Sequence, residues 1–193
     1  WLARRGEILA ADGVLFPEYW QVNPLLYAWR KRIFPSAASY HLGHDKVEMT
    51  RAFQAVCPGH TPHTLILPAT AAGVEQALDE MSFPFVAKTA RSSMGQGVWR
   101  IDDRAQFLDY AAGHDILYLQ EYLPMERDLR VVYVGGEVVS AYWRIAPPGA
   151  FHNNVARGGR VCFDGVAPQA LALVADTASA LGIDHAGFDV AVM

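Results

Sequence analysis

The chain has 193 residues, of which 52% are hydrophobic and 19% charged, a composition that excludes an intrinsically disordered protein. Its net charge of -4 at pH 7 argues against a protein that binds nucleic acid through a broad basic surface. Cys57 and Cys162 form no C-x-x-C pair, and no run of about 18 apolar residues occurs. We therefore expect a cytoplasmic protein without a zinc site, a disulfide framework or a membrane partner.

The first clear helix signal lies at Asp45. Before it, residues 1–40 are rich in aromatic side chains without a period, and a helix is predicted at about 24–32 with a solvated basic end, Arg30–Arg32. Asp45 and Glu48 have the spacing of a capping box, which puts Lys46 in the first helical turn. Because a helix N-terminus is already positive, a lysine there indicates either a nearby anion or simply an exposed side chain.

A small α+β unit follows, in the order strand, helix, hairpin, helix, strand. Its strands are predicted at Thr64–Leu67, Phe83–Lys88, Val98–Ile101 and Ile116–Leu123, with helices capped by Thr70 and by Asp103 with Gln106. Between the middle strands, Lys88 precedes a small-residue loop that contains Gly95 and Gly97. Backbone N–H groups and an ammonium could converge there on a phosphate, although a glycine-containing hairpin turn explains the pattern equally simply.

The second half opens with the clearest hairpin, in which Gly135-Gly136 joins Leu129–Val134 to Glu137–Trp143. Asp128 and Arg130 share a face of the first arm because side chains alternate along a strand. In a regular register Arg144 falls on the other face, so a site shared by Arg130 and Arg144 requires a bulge or a bend.

A loop, a helix and a strand complete the chain. The loop at 146–160 is rich in Pro, Gly, Asn and Arg, which is typical of a functional loop or of a flexible surface excursion. The helix Pro168–Leu181 is ended by Gly182, and a strand follows that we expect to continue to Met193. Asp189 lies between apolar neighbours in this strand, where a carboxylate needs a charged partner or a metal.

The order of these motifs resembles the ATP-grasp superfamily, and within it the RimK-like amino-acid ligases, over residues 36–193. The motifs that carry the resemblance are His44-Asp45-Lys46, Val86-Ala87-Lys88 with Ser92–Val98, Leu119–Leu123, Asp128-Leu129-Arg130 with Val134–Val139 and Arg144, Phe151 and Asn154 with Arg157-Gly158-Gly159, and Ala186–Asp189. The resemblance implies an α+β fold of two lobes whose antiparallel sheets sandwich the nucleotide. It divides the chain into a remnant of an N-terminal domain at 1–44, a lid subdomain at 45–123 and a truncated C-terminal subdomain at 124–193.

The resemblance also implies roles for individual residues. Those that bind ATP are Lys46 and Lys88 on the α- and β-phosphates, Ser93, Gly95 and Gly97 in the phosphate-covering loop, Glu121, Tyr122 and Leu123 at the adenine, and Asp128 at the ribose. Those that act on the reacting groups are Arg130 and Arg144 at the γ-phosphate or acylphosphate, with Asn154 and Arg157 orienting the acceptor and the phosphoryl group. Asp189 would ligate Mg²⁺ or Mn²⁺.

Members of this family form an amide bond by phosphorylating a carboxylate with ATP and letting an amine attack the acylphosphate. We therefore expect an ADP-forming ligase whose partners are ATP, a carboxylate and an amine from an amino acid, a peptide or a protein C-terminus, with no nucleic acid. Whether copies of the chain form a homo-oligomer is left open.

The sequence departs from the family pattern in two ways, and the first favours an alternative, a nucleotide-binding module or subunit without catalysis. The family's second metal motif, a Glu and an Asn two residues apart, normally follows the aspartate by about a dozen residues, whereas this chain ends four residues after Asp189. The stretch 146–152 is also less charged than in RimK-like ligases, which leaves glutamate as the amine substrate in doubt.

Overall fold

Helices and strands alternate along the chain in a computed structural model that describes residues 1–92, 97–146 and 159–192. The elements are α1 (Arg5–Ala10), β1 (Gly13–Leu15), α2 (Tyr19–Asn23), β2 (Arg32–Phe34), α3 (Ala37–His44), α4 (Lys46–Val56), β3 (Thr64–Pro68), α5 (Ala71–Glu80), β4 (Phe85–Lys88), β5 (Val98–Ile101), α6 (Arg104–Ala112), β6 (Ile116–Glu121), β7 (Arg127–Val134), β8 (Glu137–Ile145), β9 (Arg160–Cys162), α7 (Pro168–Leu181) and β10 (His185–Val190). None of the described helices is long and apolar enough to cross a bilayer.

The N-terminal region differs from the helix predicted at 24–32. Helix α2 begins earlier, and a π-helical turn at Pro24–Ala28 continues it. The backbone of Arg30 then takes a left-handed φ of 53°, and Arg32 begins strand β2, which pairs in parallel with β1. The basic run 30–32 is therefore not a helix end: Arg30 and Arg32 are exposed, as predicted, but Lys31 donates hydrogen bonds to the carbonyls of Leu9 and Ala11.

The predicted N-cap residues are confirmed, but the predicted capping box of α6 is not, because Gln106 Oε1 accepts from the N–H of Asp102 rather than from that of Asp103. The Asp45 carboxylate accepts hydrogen bonds from the backbone N–H groups of the first turn of α4, and Thr70 and Asp103 cap α5 and α6 in the same way. Gly182 ends α7 with a left-handed φ of 67°. Short polar side chains at N-caps satisfy donors that the helix itself leaves unpaired, which is why these positions were visible in the sequence.

The first sheet is antiparallel, with strand order β3-β6-β4-β5. Helices α5 and α6 cover one face, where the apolar side chains of both helices and of the strands form a core that includes Phe85, Phe107 and Leu119. The register places the residues of the opposite face together: Thr64 pairs with Gln120, and Lys88 pairs with Tyr118. The polar side chains of this sheet are therefore gathered on the face that α5 and α6 leave uncovered.

The second sheet is also antiparallel, with strand order β10-β7-β8-β9, and helix α7 packs against it. Its core includes Leu129, Val131, Trp143 and Val174, all of which are buried. Strand β10 ends at Val190, so the predicted continuation of this strand was wrong for residues 191–192, and Met193 lies outside the described residues.

The hairpin between β7 and β8 contains the irregularity that a shared arginine site requires. Val132 pairs with Ser140 while its neighbour Tyr133 pairs with Val138, so Val139 has no partner across the ladder. This extra residue shifts the pairing by one position and sets Arg144 directly opposite Asp128. Both side chains consequently lie on the face that carries Arg130.

Helix α4 touches both sheets. On one side, the hydroxyl groups of Thr50 and Tyr118 are hydrogen bonded at 2.6 Å, and both residues are buried. On the other side, Phe53 packs into the second core and stacks on Phe188, with 6.0 Å between the ring centroids. The helix that carries Lys46 is thereby fixed between the two lobes.

Candidate functional site

Lys46 connects the start of α4 to the chain that follows β4. Its ammonium donates to the backbone carbonyl of Ser92 at 2.7 Å and to the hydroxyl of the same residue at 2.9 Å. Its own backbone N–H donates to the carbonyl of Ala90 at 2.9 Å. Burial lowers the pKa of Lys46, and the neighbouring carboxylate of Asp45 opposes that shift.

Lys88 lies at the end of β4 with its ammonium 2.6 Å from Oε1 of Gln120. Burial lowers the pKa of Lys88 to about 8, the positive charge of Lys46 contributes to this lowering, and the negative charge of Asp189 opposes both. The ammonium thus interacts electrostatically with a lysine of α4 and with an aspartate of the second sheet. These interactions bring residues of both lobes into one site.

The second sheet contributes two arginines and two aspartates. Arg144 forms a fork with Asp128, donating from Nε to Oδ1 at 2.8 Å and from Nη2 to Oδ2 at 2.5 Å. Arg130 and Arg144 both contact Oδ1 of Asp189, at 2.8 and 2.9 Å. Burial alone would lower the pKa of Arg144, but its hydrogen bond to Asp128 and the charges of both aspartates raise it. The sequence did not decide whether Arg130 and Arg144 share a site. The bulge at Val139 places them on the same face.

The site as a whole carries an excess of positive charge. Lys88, Arg130 and Arg144 interact with Asp189, and Arg144 also satisfies both oxygens of Asp128. Lys46 interacts with Lys88 and with Asp45, whose carboxylate is paired with Arg91. An excess of cations at a partly buried position is a favourable environment for a polyanion such as a triphosphate. The prediction that Asp189 needs a charged partner is confirmed.

The described residues supply a limited set of ligands for a divalent cation. They contain no group of three or more His, Cys, Asp or Glu side chains placed to hold a metal ion. Oδ1 of Asp189 is engaged by the two arginines, and its side chain is 53% exposed. Because Mg²⁺ is commonly held by one or two carboxylates together with substrate phosphates, Asp189 fits a metal that arrives with a nucleotide.

Gly97 marks the end of the loop that follows β4. Its φ is 63°, and its carbonyl accepts a hydrogen bond from the N–H of Thr89. A Cβ at this position would lie 2.6 Å from Oγ1 of Thr89, so a larger residue would push the two ends of the loop apart. Ser93 and Gly95, predicted in the same loop, lie outside the described residues.

The predicted adenine-binding residues lie at the end of β6 and directly after it. Glu121 Oε1 accepts a hydrogen bond from the N–H of His63 at 2.7 Å, and the ring of Tyr122 lies 4.8 Å from the guanidinium of Arg100. Leu123 is half-buried. Their assignment to adenine stays a prediction, as does that of Asp128 to the ribose.

Asn154 and Arg157, predicted to orient the reacting groups, lie outside the described residues. Sequence reasoning missed Gln120 and Thr64, which contact each other and, through Gln120, Lys88. Their signal is weak but present: each is a polar residue at the start or end of an apolar strand, and only the strand register shows that they share the face of Lys88.

Comparison with known proteins gives a family match over most of the chain: residues 57–193 match the model of the RimK-like ATP-grasp domain. Human N-acetylaspartylglutamate synthase A is 29% identical over 120 residues, which are 60% of this chain and 31% of that protein. The probable alpha-L-glutamate ligase of Citrobacter koseri is 32% identical over 113 residues, which are 55% of this chain and 38% of that protein. The chain therefore spans about a third of the length of these curated relatives.

Solved structures share the fold at low sequence identity. A RimK domain protein from Sphaerobacter thermophilus superposes with a TM-score of 0.63 at 16% identity, covering 84% of this chain and 58% of that one. D-alanine–D-alanine ligase from Bacillus anthracis superposes with a TM-score of 0.73 at 12% identity, covering 100% of this chain and 69% of that one. The predicted fold class, two α+β lobes with antiparallel sheets, is confirmed.

Proposed function

Because the chain belongs to the RimK-like ATP-grasp family, we propose that its parent protein is an ADP-forming ligase that joins a carboxylate to an amine. The observation that carries the proposal is that Lys88, Arg130 and Arg144 all interact with Asp189, while Lys46 lies close enough to Lys88 to lower its pKa. The names of the relatives, a glutamate ligase and an N-acetylaspartylglutamate synthase, support the same reaction class.

The proposed chemistry has two steps. The carboxylate attacks the γ-phosphorus of ATP, which forms an acylphosphate, breaks the bond from the γ-phosphorus to the β-γ bridging oxygen, and releases ADP. The amine then attacks the acyl carbon, phosphate leaves with the electron pair of the broken carbon–oxygen bond, and the amine loses a proton. Both steps place negative charge on oxygens next to phosphorus, so fixed cations lower their barriers.

The residues of this chain would divide that work between the lobes. Lys46 and Lys88 would neutralise the α- and β-phosphates, while Arg130 and Arg144 would face the transferring group. A Mg²⁺ ion held by Asp189 would supply positive charge that offsets the negative charge of the phosphates. Asp189 suits this role because its side chain is 53% exposed and carboxylate oxygens are ligands that Mg²⁺ prefers.

The proposal is tested first by binding. We expect Mg·ATP to bind this chain in a calorimetric titration, and Lys88→Ala to weaken binding more than tenfold, because it removes a charge-assisted phosphate contact of about 1.5 to 3 kcal/mol. Arg104→Ala is the matched control: it also removes one positive charge, but from an exposed position on α6, which covers the opposite face of the first sheet.

Three outcomes separate the alternatives. Equal affinities for the wild type and Lys88→Ala would remove that lysine from the phosphate site. If binding depends on Lys88, the full-length protein should release ADP when ATP is supplied with suitable carboxylate and amine pairs. Saturable binding without ADP release across amino acids and peptides would support the non-catalytic nucleotide-binding module instead.

A further inference from the structure

Lys88 is held by a chain of side-chain hydrogen bonds that none of the family roles above includes. Its ammonium donates to Oε1 of Gln120 at 2.6 Å, and Nε2 of Gln120 donates to Oγ1 of Thr64 at 2.9 Å. The hydroxyl of Thr64 in turn donates to the carbonyl of Pro62 at 2.9 Å. The strand register makes this possible, since Thr64 lies directly opposite Gln120 and Lys88 is diagonal to it.

The direction of every bond in this chain is fixed by its two ends. A proline carbonyl can only accept, so the Thr64 hydroxyl must donate its hydrogen to Pro62 and use a lone pair for Gln120. The amide of Gln120 must then turn its nitrogen to Thr64 and its oxygen to Lys88. At the other end an ammonium can only donate, which requires the same orientation.

The chain is also shielded. Thr64 is 6% exposed. Tyr118, which lies opposite Lys88 and next to Gln120 on the same face of β6, is 1% exposed. The backbone of Lys88 is held independently from the opposite face, where the hydroxyl of Tyr110 donates to its carbonyl at 2.8 Å. The backbone of Lys88 is therefore held by β4 and Tyr110, and its ammonium is held by Gln120.

We propose that Gln120, oriented by Thr64, is a positioning residue that aims the Lys88 ammonium at the bound polyphosphate. This inference rests on the proposed nucleotide site. An ammonium has three N–H groups, and one bond to Gln120 leaves two that can reach phosphate oxygens. Because the side chain is held before the nucleotide arrives, less rotamer entropy is lost on binding.

The amide oxygen also favours the charged form of Lys88. The charged groups that act on this ammonium are Lys46 from α4 and Asp189 from β10, and the first is repulsive. The uncharged amide oxygen of Gln120, at 2.6 Å, stabilises the ammonium through a hydrogen bond but does not neutralise its positive charge. That charge therefore remains available to a phosphate.

The first experiment is a double-mutant cycle on Mg·ATP affinity. We expect Gln120→Leu, which keeps the size of the side chain but not its acceptor, to weaken binding by about tenfold. In the Lys88→Ala background the same change should have no further effect. Thr64→Val should act in the same direction and less strongly, while Gln76→Leu, a matched change on the exposed face of α5, should leave affinity unchanged.

The second experiment does not depend on nucleotide. The chain contains only three lysines, Lys31, Lys46 and Lys88, so selectively ¹³C-labelled lysine gives three resonances whose pH titrations can be followed separately. Gln120→Leu should move the midpoint of Lys88 to lower pH and leave that of Lys31 in place. Thermal unfolding of each variant reports whether it remains folded.

The outcomes distinguish this inference from the proposed function. If Gln120→Leu changes neither ATP affinity nor the Lys88 titration, the inference is overturned while the nucleotide site stands. An equal loss of affinity with and without Lys88 would also overturn it, because Gln120 would then act through another group. If the wild type binds no ATP, the proposed function fails, and the lysine titration alone decides whether Gln120 holds Lys88.

Discussion

Lys88, which we propose binds phosphate, lies in an environment that favours its uncharged form. Burial and the nearby Lys46 lower its pKa to about 8, only slightly above neutral pH. A polyphosphate bound nearby would raise the pKa of Lys88, because a nearby negative charge favours the ammonium over the neutral amine. The proposed phosphate role of Lys88 therefore predicts that nucleotide binding and protonation of Lys88 are linked.

This linkage predicts how ATP affinity depends on pH. Lys88 is protonated in the free protein below about pH 8, so affinity should be constant there and fall as the pH rises further, by up to about tenfold per pH unit. Calorimetric titrations between about pH 7.5 and 9.5 measure the slope. Lys88→Ala should flatten it, and an unchanged slope in that variant would assign the titration to another group.

Single residues differed in how visible their roles were from the sequence. Lys88 was identified by its position between a strand and a glycine loop, and its proximity to Lys46 and Asp189 now supports the assignment. Gln120 was not identified, because its role depends on which side chains face it across two strand pairs. Local patterns carry no information about diagonal neighbours.

At the scale of elements, helix ends were predictable where a single residue type is required. Asp45, Thr70 and Gly182 were recognised because capping and left-handed termination each favour few side chains. At Pro24–Ala28 the structure has a π-helical turn where a helix to residue 32 was predicted, and the segment has no apolar period that could have set its end.

The left-handed end of α7 gives a test of this reasoning. Gly182 has a φ of 67°, and a Cβ added there would meet no atom within 4 Å, so Gly182→Ala should cost only conformational strain, about 1 kcal/mol of the free energy of unfolding. Gly113 also follows a helix but has a negative φ of -98°, which suits alanine. Gly113→Ala should be neutral or slightly stabilising in the same urea denaturation series, and equal costs for the two variants would contradict the account.

At the scale of the whole molecule, the two cores meet through α4. Phe53 belongs to the second core, while Thr50, one turn away, bonds to the first sheet. The same helix begins with Lys46, so its position sets the distance between the groups of the two lobes that we propose bind phosphate. The net charge of -4 is spread over the chain, whereas the site itself is positive.

Loosening α4 should therefore affect stability and binding together. We expect Phe53→Ala to lower the free energy of unfolding by about 2 kcal/mol, because a half-buried aromatic ring is lost, and to weaken Mg·ATP binding as well. Leu108→Ala on α6 serves as the control, since that side chain is 42% exposed. Urea denaturation and calorimetry on the same samples check both effects, and a loss no greater than that of the control would argue against α4 as the link.

The unpaired Val139 has a consequence for how this hairpin tolerates change in length. Arg144 lies on the same face as Arg130 because the second arm of the hairpin contains one residue more than a regular ladder with a two-residue turn would need. The bulge at Val139 supplies that residue. A three-residue turn with a regular ladder would have the same effect. A single insertion or deletion in this hairpin would move Arg144 to the other face, so we expect it to be tolerated only together with a second change that restores the register. This holds even in the turn, which is exposed and distant from the arginines and would otherwise tolerate changes in length.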